Sequence, residues 1–169
     1  EDLAVSSQLQ EVFQGRRVLV TGHTGFKGSW LSLWLHELGA EVTGFALAPE
    51  YSRSHFELLA LKRRLNHVEA DLRDQVAVQR VFDSARPEIV FHLAAQSLVR
   101  RSYQDPKITF DTNVLGAVNL LESICKSDDI KSLIFVTSDK CYSNKEWVWG
   151  YRENDELGGH DPYSASKAA

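Results

Sequence analysis

The segment Thr21-Gly22-His23-Thr24-Gly25-Phe26-Lys27-Gly28 places a glycine at every third position between a predicted strand and a predicted helix. The apolar run 17–21 before it is rich in β-branched residues and predicts a strand buried on both faces. Apolar residues at helical spacing follow it and stop at Gly39, which predicts a helix that ends there. A glycine loop in this place can approach a diphosphate closely, and the helix N-terminus attracts negative charge. The segment therefore predicts a dinucleotide-binding loop, with a merely tight turn as the alternative.

The rest of the chain alternates short apolar runs with helical patterns. The apolar runs predict further strands over 41–47, 66–70, 88–93 and 132–137. The helical patterns cover 56–65, 74–85 and 106–127. Within 74–85 the candidate inward positions are Val76, Val78, Val81 and Phe82. A polar loop over 141–161 leads to Asp161-Pro162, a typical N-cap and first residue of a helix. This alternation predicts an α/β fold with a Rossmann-type doubly wound parallel sheet.

Composition and charge fit one globular domain. The chain has 169 residues, of which 43% are hydrophobic and 25% are charged, and its net charge is −4. This balance provides no basic face for a nucleic acid, and no apolar run reaches the roughly 20 residues that cross a bilayer. Cys125 and Cys141 fit neither a zinc site nor a disulfide framework, so we expect no metal and a reducing, cytoplasmic location.

The two ends of the chain bear on its domain organisation. Residues 1–14 are typical of a short amphipathic lead-in, and residues 15–169 of a dinucleotide-binding domain. The chain contains no methionine, and it stops inside the helix predicted to begin at Pro162. We therefore expect it to be an excised piece of a longer protein, truncated within that helix.

The surroundings of the glycine loop leave the type of dinucleotide open. The Gly-x-x-Gly-x-x-Gly spacing is one residue longer than in most dehydrogenases, and Lys27 either faces a diphosphate or points to solvent. An acid about 20 residues further on usually holds the adenosine ribose, but residues 45–48 contain none. Arg53 is only a weak indication of a 2′-phosphate, so both NAD and NADP fit. Asp71, which precedes Leu72 after the third strand, either binds the adenine amino group or is a turn residue.

Two groups of side chains predict acid–base chemistry. Tyr163 and Lys167 are four residues apart on one helical face. A phenol is a poor base at neutral pH, but a neighbouring ammonium stabilises the phenolate, so the pair can take a proton from an alcohol as hydride leaves its carbon.

Ser138, Asp139 and Lys140 follow the fifth strand, at the sheet edge where open α/β folds bind ligands. They can orient a substrate, donate a proton and accept one; a solvated turn is the alternative.

Four further motifs surround these residues: His92-Leu-Ala-Ala-Gln96, Thr137-Ser-Asp-Lys-Cys-Tyr142, Trp147-Val-Trp-Gly-Tyr-Arg-Glu153 and Asp161-Pro-Tyr-Ser-Ala-Ser-Lys167. With the glycine loop, the sequence resembles the nucleotide-sugar 4,6-dehydratases of the extended short-chain dehydrogenase/reductase group, and among them the CDP-glucose enzymes. The resemblance covers residues 12–169. The glycine loop and Tyr-x-x-x-Lys occur throughout that group, whereas Asp139-Lys140 and the loop 146–153 occur in a much smaller set of its enzymes. Lys140 is the residue that distinguishes the CDP-glucose enzymes from their relatives. The related dTDP-glucose dehydratases have Asp-Glu at positions 139 and 140, and the 4-epimerases have neither acid nor base there.

The resemblance implies a lyase that converts CDP-glucose to its 4-dehydro-6-deoxy product, for deoxysugar and lipopolysaccharide synthesis. It implies that C4 is oxidised by NAD while Tyr163 takes the hydroxyl proton. Lys140 then removes the C5 proton, which requires a partly neutral amine, or else stabilises the enolate. Asp139 protonates the departing C6 hydroxyl, and Ser138 steadies the substrate. The residues implied in NAD binding are Gly22, Thr24, Gly25, Phe26, Lys27, Gly28, Asp71, Leu72, Leu93, Ala94, Ala95, Tyr163 and Lys167.

The resemblance also implies parts that this chain lacks and alternatives to the dehydratase. It implies a C-terminal substrate domain, missing here, and a homodimer through the 106–127 helix and the Tyr163 helix. We therefore expect the chain alone to bind cofactor weakly and to show no turnover. An NAD-dependent nucleotide-sugar 4-epimerase, which keeps the C6 oxygen, is one alternative. A non-catalytic dinucleotide-binding protein, which needs neither acid–base group, is another. The residues by themselves do not distinguish CDP from UDP or dTDP.

Overall fold

Five parallel strands form the centre of the molecule. The computed structural model describes residues 2–169, with side chains from residue 7 onward. The strands are β1 (Arg17–Thr21), β2 (Glu41–Ala46), β3 (Asn66–Glu69), β4 (Ile89–His92) and β5 (Ser132–Phe135). They pair in the order β3-β2-β1-β4-β5, all parallel. This is a Rossmann strand order, and it reverses between β1 and β4, so the crevice beyond their carboxyl ends is the expected ligand site.

Helices connect the strands. They are α1 (Asp2–Phe13), α2 (Phe26–Glu37), α3 (His55–Leu58), α4 (Gln75–Ala85), α5 (Val99–Gln104), α6 (Pro106–Phe110), α7 (Gly116–Cys125) and α8 (Pro162–Ala168). Single 3-10 turns cover Leu61–Arg63 and Asp139–Cys141, and a π-helical segment covers Asp111–Leu115. The predicted Rossmann-type α/β fold is confirmed.

Apolar side chains cover both faces of the sheet, as continuous apolar strands predict. On one face Leu19 and Val90 belong to a core cluster with residues of α4 and α7. On the other face Val18 and Val20 pack with Leu35 of α2. Because β1 supplies alternate residues to both clusters, and each fully buried aliphatic side chain stabilises the fold by about 1.5–3 kcal/mol, the loop after β1 starts from a rigid position.

The segment between β2 and β3 differs from the predicted helix 56–65. The helix begins at His55, capped by the Ser54 hydroxyl, and ends after Leu58. Ala60 has a left-handed backbone with φ of 49°, which a continuous helix cannot contain. The prediction of one helix is wrong because apolar spacing does not record a break in the backbone.

The predicted helix 106–127 is also interrupted. The π-helical segment between α6 and α7 changes which residues face inward, so Asn113 is buried and Leu115 is exposed. The five predicted strands are confirmed, four of them with ends shorter by one or two residues.

The inward face predicted for the helix 74–85 is confirmed at three of its four positions. Val78, Val81 and Phe82 are buried, whereas Val76 is exposed. Val76 lies in the first turn of α4, where its N–H is capped by the Asp74 carboxylate. The prediction is wrong at Val76 because the first turn precedes the part of the helix that packs on the sheet.

The predicted lead-in is a helix, α1, that ends against the sheet. The ring of Phe13 lies 6.3 Å from that of Phe91 in β4. Gly15, with φ of 67°, then turns the chain into β1. Within residues 2–169 no helix is both long and apolar enough to cross a membrane.

Candidate active site

The glycine loop after β1 is compact and has no room for side chains at two of its glycines. Gly22 has φ of 75°, and a Cβ there would lie 2.8 Å from the backbone nitrogen of Ala94. A Cβ on Gly28, in the first turn of α2, would overlap the carbonyl oxygen of Gly22. The N–H of Gly22 donates to the carbonyl of Phe45 in β2. The loop therefore holds its backbone against both neighbouring strands and the helix.

The N-terminus of α2 opens beyond this loop. Gly25 is the N-cap residue, and it has no side chain to cover the first N–H groups of the helix. The Thr24 hydroxyl donates to the carbonyl of Leu47 at 2.9 Å, which ties the loop to the end of β2. Lys27 and Phe26 are exposed, and the Phe26 ring packs 4.8 Å from that of His55. A diphosphate at this place would meet free N–H donors and the positive end of the helix dipole.

The opposite wall of this crevice begins after β3. Asp71 accepts hydrogen bonds from the guanidinium and the backbone N–H of Arg73, which hold the pKa of its carboxyl below the usual value. The Leu72 side chain is in the core, against Gly116. The carbonyl of Leu72 accepts from Asn119, so of this residue only the N–H is free for a ligand. The structure thus brings Asp71 to the sheet edge as a turn residue paired with Arg73.

The end of β4 is joined to the end of β1 by a threonine. The Thr21 hydroxyl lies 2.8 Å from Nδ1 of His92 and accepts from the N–H groups of Leu93 and Ala94, both at 3.2 Å. Thr21 and His92 are buried, and burial followed by the charge of Lys167 lowers the pKa of His92 to about 4. The backbone of 93–95 is therefore held beside Gly22, on the floor of the crevice.

Helix α8 brings Tyr163 and Lys167 to the same edge. The Asp161 carboxylate caps the helix through the backbone N–H of Ser164, at 2.9 Å, which confirms the predicted N-cap. Tyr163 is buried, and Lys167 Nζ donates to the carbonyl of Val136 just after β5, at 3.4 Å. Burial lowers the pKa of Lys167. The ammonium therefore lies at the carboxyl end of β5, near the ends of β1 and β4.

Ser138, Asp139 and Lys140 form a turn against this helix. The Ser138 hydroxyl accepts from the N–H of Lys140 and donates to Asp139, at 3.2 and 3.1 Å. The 3-10 turn 139–141 contacts α8. Burial raises the pKa of the Asp161 carboxyl, but hydrogen bonds from Ser164 outweigh it, and the Lys140 charge adds to the net lowering. Asp139 and Lys140 are exposed, beside the helix of Tyr163.

The loop between this turn and α8 has its own internal contacts. The rings of Tyr142 and Tyr151 stack at 5.0 Å, and the Tyr151 hydroxyl donates to Asn144 at 2.9 Å. Lys145 and Glu156 form an ion pair at 2.6 Å. Trp149 at its tip is 73% exposed. The loop is thus an ordered flap with an aromatic tip, next to Asp139 and Lys140.

Asn113 is a site residue that sequence reasoning missed. It lies in the π-helical segment, where its side chain accepts from the N–H of Gln96 at 2.8 Å and donates to the carbonyl of Gln96 at 3.1 Å. It also donates to the Ser166 hydroxyl of α8 at 2.8 Å. One side chain therefore connects the segment after β4, which forms the floor of the crevice, to the helix of Tyr163. An asparagine in an apolar helical pattern was the available signal.

The strand order and the glycine loop define a Rossmann-type dinucleotide-binding fold. Over residues 19–169 the chain matches the family described as GDP-mannose 4,6 dehydratase, and it belongs to that family. The resemblance to the 4,6-dehydratases of the extended short-chain dehydrogenase/reductase group is therefore confirmed.

Individual relatives agree with this family. The CDP-glucose 4,6-dehydratase of Salmonella typhimurium is 54% identical over 155 residues, which are 92% of this chain and 43% of that protein. UDP-glucuronate 4-epimerase 1 of Arabidopsis thaliana is 37% identical over 79% of this chain and 32% of its own. The structure of the Thermus thermophilus UDP-glucose 4-epimerase in complex with NAD aligns with a TM-score of 0.75 and 32% identity, covering 89% of this chain and 47% of that one. The chain spans less than half the length of these relatives.

Proposed function

We propose that this chain, at the full length of its relatives, forms a CDP-glucose 4,6-dehydratase. This lyase converts CDP-D-glucose to CDP-4-dehydro-6-deoxy-D-glucose and needs NAD. The observation that supports it most is the packing of the Asp139–Cys141 turn against the helix of Tyr163 and Lys167. That packing puts two acid–base groups at one sheet edge, whereas an epimerase needs one. The 54% identity to the Salmonella typhimurium enzyme of that name supports the same substrate.

The crevice between the glycine loop and Asp71 fits a dinucleotide. Side chains at Gly22 and Gly28 would clash with the backbone of Ala94 and of Gly22, so the glycines allow the loop to lie close against the start of α2, which offers free donors. We assign the diphosphate to Gly22, Thr24, Gly25, Phe26, Lys27 and Gly28, and the rest of the cofactor to Asp71, the Leu72 N–H, residues 93–95, Tyr163 and Lys167. NAD bound there would supply the acceptor for the C4 hydride of the sugar and the source of the hydride that C6 receives. We favour NAD over NADP because the Thermus thermophilus relative was solved with NAD.

Tyr163 acts first as the base. It takes the proton of the C4 hydroxyl while the C4 hydrogen leaves as hydride. Lys167, one helical turn later, stabilises the phenolate electrostatically. Ser138 orients the sugar through its hydroxyl.

Lys140 and Asp139 then perform the elimination. The C4 ketone makes the C5 proton acidic, and Lys140 removes it. Asp139 gives a proton to the C6 oxygen, which leaves as water. Both residues lie on one turn, so proton removal and proton donation occur at neighbouring carbons without movement of the backbone. A proton returned to C5 completes the net dehydration.

The test is turnover of CDP-glucose by the protein at the length of its relatives. A 4-keto-6-deoxy product, with the C6 oxygen released as water, supports the proposal. A product with C4 inverted and every oxygen retained indicates the epimerase activity of other relatives. UDP-glucose and dTDP-glucose, assayed in parallel, determine the nucleoside. Bound NAD with no turnover of any sugar indicates a non-catalytic protein.

Two substitutions of Lys140 separate its possible roles. Lys140→Met removes both charge and base, and should abolish elimination while NAD still binds. Lys140→Arg keeps the charge but cannot lose a proton at neutral pH. It should therefore be as inactive as Lys140→Met if Lys140 is the base, and active if Lys140 only stabilises the enolate. Lys145→Met, in the neighbouring flap, is the matched control and should keep full turnover.

We also propose a homodimer, a cytoplasmic location and a division of the chain at residue 15. Phe110, Leu115, Val118 and Leu121 leave apolar surface exposed along α6 to α7, next to α8. Burying that surface between two copies would remove it from water. In sedimentation the wild type should be a dimer and Leu115→Glu a monomer. A monomeric wild type contradicts the dimer, and a dimeric Leu115→Glu protein contradicts this interface.

Residues 15–169 form the NAD-binding unit, to which residues 1–14 are a lead-in.

A further inference from the structure

His23 lies within the glycine loop, yet its side chain turns inward and is fully buried. The ring lies against Gly44 in the middle of β2, where a Cβ would overlap its carbon atoms. Gly44 is the register partner of His67 in β3. Nε2 of His23 lies 2.7 Å from Nδ1 of His67, so the loop after β1 is hydrogen-bonded to a strand two places away in the sheet.

This hydrogen bond is shielded from water. Phe56 of α3 is fully buried, and its ring lies 5.3 Å from that of His23 and 5.0 Å from that of His67. Burial and, secondly, the neighbouring His67 lower the pKa of His23 to about 4, so His23 is neutral at pH 7. Glu69 lies 3.9 Å from Nε2 of His67 and favours a proton there. One of the two rings donates the hydrogen of this bond and the other accepts it.

The bond joins two parts of the crevice through side chains. Gly22 and Thr24, on either side of His23, are bonded to the backbone of β2. His67 lies on β3, the strand that leads directly to Asp71 and Leu72. The His23–His67 pair therefore adds a side-chain link, beside the strand pairing, between the glycine loop and the strand that leads to Asp71.

We propose that His67 is a positioning residue for dinucleotide binding, which holds the glycine loop at the right distance from Asp71 through His23. The inference rests on the proposed function, because it assumes that NAD spans the crevice. The polar contacts of His67 are with the His23 side chain of the loop and with Glu69. Loss of His67 should therefore change the affinity for NAD while leaving kcat at saturating NAD unchanged.

The experiment compares two substitutions of His67 in the protein at the length of its relatives. His67→Val leaves the buried Nε2 of His23 without its hydrogen-bond partner, and should weaken the binding of NAD by about tenfold. His67→Asn places an amide close to the position of Nδ1 and should restore most of the affinity. NAD affinity is measured by calorimetry, and thermal stability by unfolding of the same samples.

A neighbouring cross-strand bond provides the matched control. Asn66 donates to the Thr43 hydroxyl at 3.3 Å, one register position before the His67 and Gly44 pair. Asn66→Ala should lower stability as a lost cross-strand hydrogen bond does, and leave NAD affinity unchanged. Equal weakening by Asn66→Ala, or wild-type affinity in His67→Val, overturns the inference. A wild-type protein that binds no NAD contradicts the proposed function instead.

A measurement on the unmodified protein tests the inference if His67→Val does not fold. The imidazole ¹⁵N signals of His23 and His67 should both shift when NAD saturates the protein. Those of His36, beside Ala40 and Glu41 at the amino end of β2, should stay in place. Unshifted signals from both His23 and His67 would overturn the inference.

Discussion

Asn113 shows how much one side chain contributes to the arrangement of the site. Its amide satisfies the N–H and the carbonyl of Gln96 and the hydroxyl of Ser166, and all these bonds are at least partly buried. A buried polar group without a partner costs about 1–3 kcal/mol, more than the net value of an ordinary hydrogen bond. The cost of losing Asn113 therefore comes mainly from the partners it leaves behind.

Asn113→Ala should lower the free energy of unfolding by about 2–4 kcal/mol, because several buried partners lose their bonds at once. Asn119→Ala, in α7, removes a single hydrogen bond to the Leu72 carbonyl and should lower the free energy of unfolding by about 1 kcal/mol. Urea unfolding of both variants measures the difference. Equal losses would mean that the Asn113 network contributes no more than one bond.

Tyr163→Phe removes one hydroxyl from a buried ring and leaves its shape unchanged. In the protein at the length of its relatives, we expect turnover of CDP-glucose to fall by at least about a hundredfold, since the base for the first step is lost. NAD affinity should fall far less than turnover, because the ring of Tyr163 is kept and only one hydroxyl contact is lost. Tyr103→Phe, an exposed tyrosine, is the control. Wild-type turnover in Tyr163→Phe would remove this residue from the mechanism.

At the scale of elements, the glycine loop and α2 depend on each other. Gly28 lies in the first turn of α2, where alanine would favour the helix by up to about 1 kcal/mol. The added Cβ would overlap the Gly22 carbonyl, however, and a backbone clash of this kind costs about 1–3 kcal/mol. The clash outweighs the helix propensity, so the glycine is required by packing and not by backbone freedom.

Gly28→Ala should therefore lower the melting temperature and weaken the binding of NAD, because α2 must move away from the loop. Gly150→Ala is the control, since a Cβ there meets no atom within 4 Å. Thermal unfolding and calorimetry measure the two effects. A Gly28→Ala variant as stable as Gly150→Ala, with unchanged affinity, would contradict the close packing of loop and helix.

At the scale of the whole molecule, buried histidines make stability depend on pH. His23 and His92 both have a pKa lowered to about 4, mainly by burial. In the unfolded chain an imidazole binds a proton near pH 6.5. Between these values the unfolded state holds more protons, so stability falls as the pH falls from about 6.5 to 4.

For His92 the loss at pH 4 amounts to about 3 kcal/mol. His92→Asn should therefore show a smaller drop in unfolding free energy between pH 7 and pH 4 than the wild type, measured in urea. Asn119→Ala, a destabilised variant without a titrating group, should keep the wild-type drop. If the unfolding free energy of the wild type and of His92→Asn fell equally between pH 7 and pH 4, His92 would have the same pKa in the folded and unfolded states.

The places where prediction from sequence failed have a common cause. The break at Ala60 and the π-helical segment around Asn113 occur inside runs with good helical spacing. Spacing reports which side chains are apolar, but the backbone follows the packing of the neighbouring elements. The role of Asn113 was also not predicted, because its partners Gln96 and Ser166 are distant in sequence and only the packing of neighbouring elements brings them to it.

The amino-acid sequence alone determined the class of fold and the glycine loop, because apolar runs and a glycine at every third position are local properties of the chain. It also indicated Tyr163, Lys167, Asp139 and Lys140 as a chemical group, because their residue types and spacing limit what they can do. Only the tertiary structure decided how His23, His67, His92 and Asn113 support the site. His23, His92 and Asn113 are buried and His67 is partly buried, each against a strand or helix far away in sequence. The free energy of a buried polar group depends on partners that folding alone brings together.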